Sequence, residues 1–229
     1  DPTCGALMDE NRLQTSESLF LAALLAIVGG FLDAYSYLLR GGVFANAQTG
    51  NIALLGVYIQ RRNGSMIIHY LVPILAFAAG VVLVEIMKKT FKTKGKIHWR
   101  QRIVVLEAVL LAAVGLIPSG KMDVMANVLI SFVCAVQVQT FRKVHGNAFA
   151  STMCTGNLRS GTESMFQYRQ TKDRTFFEKG LKYYSVIAFF IIGAVIGGLM
   201  TGIAEEKSVF LCSIVLLLSG MIMVQEYRN

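Results

Sequence analysis

The chain has 229 residues, of which 54% are hydrophobic and 16% charged, against roughly 25% charged in soluble domains. Its apolar residues run in long blocks with no amphipathic rhythm, which excludes an ordinary soluble domain and points to an all-α integral membrane protein. The formal net charge of +8 then becomes a question of which side of a bilayer holds the cations.

Residues 1–17, DPTCGALMDENRLQTSE, are polar and acidic with a single cation, Arg12. They lack the cationic start of a cleavable signal peptide and are expected to form a cytoplasmic tail. Apolar runs follow at 18–39, 65–87, 103–118, 124–138, 183–204 and 208–224. A membrane core takes about 20 residues of helix, with a range of roughly 17 to 25, so the sequence predicts six spans, the third and sixth at the short limit.

Between the first and second runs lies GGVFANAQTGN, Gly41 to Asn51, and Thr49-Gly50-Asn51 returns as Thr155-Gly156-Asn157. A shift of 106 positions superposes the two tripeptides and the apolar run before each. It sets Asp33 on Gln139 and Tyr35 on Phe141. Run 65–87 then matches 183–204, and 103–118 matches 208–224. Each half reads as long helix, TGN segment, long helix, short helix, so 18–118 and 119–229 are expected to be two copies of one unit.

Cation counting orients the copies. If the TGN segments, 44–60 and 149–167, cross fully, the Lys and Arg divide 10 to 11 between the two sides with Arg159 inside the membrane. If they enter and return on one side, the loops 88–102 and 142–182 hold seven and eight cations, and with Arg12 and Arg228 that side has 17. The other side keeps five: Arg40, Arg61, Arg62, Lys121 and Lys207. Cytoplasmic loops carry the Lys/Arg excess. The expected fold is therefore six transmembrane helices plus two re-entrant or broken-helix TGN segments, in two inverted repeats with both termini cytoplasmic.

The loop KKTFKTKGKIHWRQR, Lys88 to Arg102, reads as a topology determinant at anionic headgroups and not as a nucleic-acid patch. Trp99, Tyr70, Tyr183 and Tyr184 are expected in an interfacial belt.

Irregular backbone inside a bilayer must be buried in protein or line a wet cavity. Gly50 and Gly156 permit close backbone approach. Thr49, Asn51, Thr155 and Asn157, with the neighbouring amides Asn46 and Gln48, can coordinate a solute or cap broken helix ends. Inverted-repeat transporters place their sites where two such breaks meet near the midplane, and capping alone is the structural alternative. On the first helix Ala26, Gly29, Gly30, Asp33, Ser36 and Tyr37 form one small and polar stripe. An intramembrane acid such as Asp33 usually faces an interior pathway; pairing with Arg40 is its structural alternative. Gln139 is its uncharged mate. Arg159 and Glu163 lie four residues apart, and Arg159 is able either to pair locally with Glu163 or to reach Asp33.

Other features weigh toward structure. Glu85 and Glu107 follow or precede cations closely and are expected near headgroups. Gly193, Gly197, Gly198 and Gly202 suit helix packing within or between chains, which leaves a homodimer open. Cys4, Cys134, Cys154 and Cys212 have no ligand spacing, nor do His69, His98 and His145. No HExxH, GxSxG or P-loop is present, so neither metal, cofactor nor enzyme activity is expected.

GGFLDAYSYLLRGGVFANAQTGN, with the later QTF and TGNL, resembles the YoaK-like bacterial inner-membrane proteins, known mainly as a domain of unknown function. The resemblance runs from Leu19 to about Val224 and implies a multispanning protein of the bacterial inner membrane, with no substrate attached. The residues themselves favour a transporter or channel for a small solute or ion, with a midplane site between the TGN motifs and the lipid bilayer as its surroundings. A scaffold or accessory subunit is the alternative, and an intramembrane enzyme the remote one.

Overall fold

The computed structural model describes residues 19–91, 96–141, 143–144, 147–148 and 153–228. The expected tail 1–17 with Cys4, the middle of the basic loop, His145 and the start of the second TGN segment lie outside the described residues.

The described chain is helical: α1 (Leu19–Leu39), α2 (Gln48–Gln60), α3 (Gly64–Phe91), α4 (Lys96–Val114), α5 (Asp123–Thr140), α6 (Cys154–Thr171), α7 (Arg174–Ala204) and α8 (Phe210–Arg228). A two-residue β1–β2 pairing, Lys143–Val144 with Asn147–Ala148, precedes α6, and a 3-10 turn, Glu205–Val209, joins α7 to α8. Four stretches are long and apolar enough to cross a membrane: Leu19–Leu39, Gly64–Thr90, Asp123–Thr140 and Arg174–Ile222, the last containing both α7 and most of α8. The protein is thus a multi-pass membrane protein in contact with lipid. Helix α4 falls outside this group because Lys96, Arg100, Arg102 and Glu107 crowd its 19 residues.

α1 ends where the sequence offers glycine. Gly41 has φ +81° and Gly42 φ +77°, and the Gly42 amide donates to the Tyr37 carbonyl at 3.1 Å, the wide bond of a left-handed helix stop. The chain then turns back along α1.

Packing pairs helices from the two halves of the sequence. α1 lies along α7 and α3 along α5. The α1–α7 seam is a backbone contact: a Cβ on Gly30 would lie 1.9 Å from the Phe190 carbonyl oxygen, and one on Gly193 would lie 2.0 Å from that of Ile27. Gly197 meets Phe31 in the same way, so small residues set this approach. In the α3–α5 seam Gly80 faces the Phe132 carbonyl oxygen at 2.7 Å. α2 packs on α3, and α6 on α7.

Chain directions follow from these contacts. α1 and α5 run antiparallel: Asn127 near the start of α5 donates to the Arg40 carbonyl (2.8 Å), while Gln137 near its end donates to that of Leu25 (3.0 Å). α4 and α8 also run antiparallel, with Gly220 beside Val104 and Gly115 beside Phe210. The core joins α1, α4, α5 and α8 through Leu25, Leu32, Val104, Leu111, Ile130, Val133 and Leu216. Trp99, Tyr70 and Tyr183, expected in an interfacial belt, are buried against protein instead; Trp99 packs with Val84, Ile103 and Val136.

Candidate functional site

Asp33 lies on the buried side of α1 and is 6% exposed. The returning chain reaches it: the Asn46 amide donates to Asp33 Oδ1 at 2.7 Å, and the Asn46 side chain donates to the Gly29 carbonyl at 3.0 Å. Ala47, which precedes α2, has no side-chain cap, and the Asp33 carboxylate binds the residue just before it, near the positive end of the helix dipole. Arg40 is not its partner. Fully buried, Arg40 donates to Tyr35 Oη (2.7 Å), the Ile117 carbonyl (2.8 Å) and Asp123 Oδ1 (3.2 Å).

Asn51 is the only buried residue of α2 among those described. Its amide nitrogen donates to the Phe44 carbonyl (2.6 Å) and Gln48 Oε1 (2.9 Å), and its oxygen accepts from the Phe44 amide (3.0 Å). One side chain thereby closes the loop onto the helix, and Gln48 completes it by donating to the Ala45 carbonyl (2.9 Å). A Cβ on Gly50 would meet the Phe44 ring at 3.0 Å. That ring stacks on half-exposed Tyr37, centroids 4.8 Å apart. Thr49 is exposed.

The second tripeptide repeats part of this. α6 starts at Cys154, the position that the 106-residue shift sets on Gln48, and Asn157 is buried like Asn51. Thr155, Gly156, Arg159 and Glu163 are exposed, and Arg159 forms no ion pair with either Glu163 or Asp33. Gln139 turns to Glu85 on α3. The expectation that both TGN segments lie wholly inside the protein is therefore corrected: each buries its asparagine and leaves most of its helix exposed, because each packs on the following helix alone.

Residues 21–223 match the family described as "Protein of unknown function (DUF1275)". The chain belongs to this family. It is 28% identical over 192 residues to the "UPF0700 transmembrane protein YoaK" of Bacillus subtilis (strain 168), covering 81% of this chain and 83% of that protein. No solved structure matches it.

In this DUF1275 protein one carboxyl was misplaced by sequence reasoning. Glu107, expected near headgroups, is 0% exposed and stands on the α4 face that supplies Val104, Ala108 and Leu111 to the core. Neither of its oxygens has a hydrogen-bond partner among the described residues. Cys134 on α5 is buried in that same core. The spacing 104, 107/108, 111 held the signal, since it puts Glu107 on the apolar stripe; the cations before it drew attention to the membrane edge. Among the described residues no three of His, Cys, Asp and Glu stand close enough to hold a metal ion.

Proposed function

We propose that this protein carries a small solute or ion across the bacterial inner membrane, through a site centred on Asp33 between the starts of the two TGN helices. The carrying observation is a buried carboxylate, Asp33, to which the loop before α2 folds back through the Asn46 amide. Such broken-helix ends around a buried acid are the arrangement of inverted-repeat transporters. Support for inversion comes from matched helices that run antiparallel, α1 against α5 and α4 against α8. Six crossings with two re-entrant segments, cytoplasmic termini and the 17 to 5 cation division fit those directions. The face of α7 at Gly202, which meets nothing within 4 Å, is where a second copy would seat.

A scaffold role is the second reading, favoured by the Asp33 carboxylate being satisfied by its own chain. Flux separates the two. Proteoliposomes tested with a panel of labelled ions and small metabolites should show uptake that Asp33→Asn abolishes or makes insensitive to pH, while Asp33→Asn inserts and folds. Gln139→Glu, which sets a second acid against Glu85, should be tolerated less well in insertion and folding. Full, equally pH-sensitive uptake by Asp33→Asn would falsify the coupling role.

A further inference from the structure

Glu107 is the acid that the site around Asp33 does not use. The two other fully or nearly fully buried charged groups are partnered: Arg40 by Tyr35, Asp123 and two carbonyls, Asp33 by the Asn46 amide. Glu107 has neither hydrogen bond nor ion pair among the described residues. It stands on the face of α4 that packs into the apolar core shared with α5 and α8. An ionised carboxylate left so would cost many kcal/mol, and such a group neutralises instead. The neutralising cation must need few ligands. Metal ions of the hard class take six or more oxygens, whereas a proton takes one.

We propose that Glu107 is a proton-binding site inside the bundle. The binding step is carboxylate plus proton to acid, with no bond or electron exchanged elsewhere. The buried titratable groups on the helices packed against α4 are Cys134 on α5 and Cys212 on α8. The 3-10 turn that touches α4 adds Glu205, Glu206 and Lys207. No basic residue pairs with Glu107 among the described residues. Its use in a transport cycle rests on the reading above; its existence does not.

Infrared spectroscopy of the reconstituted protein tests this without a known solute. In neutral buffer the protein should show the C=O stretch of a protonated carboxyl, moved by carboxyl-13C labelling of glutamate, lost in Glu107→Gln, and displaced in D2O as its proton exchanges. Absence of the band, its survival in Glu107→Gln, or a band that never exchanges deuterium would each overturn the proposal. Should Glu107→Gln fail to insert, the isotope shift reads the wild type directly, and Glu107→Asp should transfer the band from the glutamate to the aspartate label. Failure of the transport reading appears elsewhere, as flux unaffected by Asp33→Asn.

Discussion

Helices α1 and α5 occupy matching places under the 106-residue shift of the sequence, yet they treat the chain that leaves them differently. α1 carries Asp33 and Arg40, which hold the departing loop inward at Asn46 and tie the helix end to Asp123, Val114 and Ile117. At the matching positions the second half has Gln139 and Gly146, and Gln139 turns sideways to Glu85. What the halves share is the asparagine of TGN, buried in both. The tripeptide therefore specifies a backbone closure, and the charges beside it specify what only one half does.

The sharpest way to break that comparison is to remove the first half's charge. Arg40→Met leaves Asp123 and Tyr35 without their donor and should destabilise the protein by roughly 3 to 5 kcal/mol, the usual cost of stripping one partner from a buried pair. Unfolding in mild detergent measures it, and a loss below about 1 kcal/mol would show that the outer end is not held by this residue.

Next come the seams that unite the halves. Gly193→Ala drives a methyl into the Ile27 carbonyl and Gly80→Ala into that of Phe132, at 2.0 and 2.7 Å. Overpacking costs about 1 to 3 kcal/mol, occasionally more, so Gly193→Ala should lie at or above the top of that range and Gly80→Ala near its bottom. Equal thermal shifts would mean that the two seams are equally close.

Within the tripeptide, Asn51→Ala strips partners from the Phe44 amide and carbonyl and should cost about 2 kcal/mol, whereas Thr49→Ala and Thr155→Ala, both exposed, should stay within about 0.5 kcal/mol. If the threonine changes proved the costlier, TGN would be a contact surface and not a closure.

The smallest effect concerns the second half alone. Asp173 caps α7 by accepting from the Thr175 amide at 2.9 Å, and that bond holds its carboxyl below the ordinary 3.8. A lowered value means that the cap is fully present above 3.8 and is lost as pH falls through the lowered one. Hydrogen exchange in the first turn of α7 should accelerate on acidification below that ordinary value, and Asp173→Ala should erase the pH dependence.

Much of this fold was legible because apolar runs and helix stops are local. The run 18–39 became Leu19–Leu39, and the 106-residue shift placed the starts of α2 and α6 at matching residues. Helix starts within charged sequence were not legible: α7 begins at Arg174, nine residues before the apolar run, because its polar first turns pack on α6, where Gly180 meets the Gly161 carbonyl oxygen at 3.3 Å. Asp33 was visible as an acid on a small-residue stripe. Its partner was not, since backbone amides leave no mark in a sequence and Arg40, seven residues on, offered the obvious ion pair. The isolation of Glu107 depends on α5 and α8 closing over it, which is tertiary information.

The close approach of α1 to α7 and of α3 to α5 also fixes the order of events during synthesis. The first four helices leave the ribosome with the glycine faces at Gly30 and Gly80 still lacking their counterparts, which are encoded in the half yet to come. The native seams are complete only once α5 lies beside α3 and α7 beside α1. Until then lipid, or the insertion machinery, must stand in for the missing backbone neighbour.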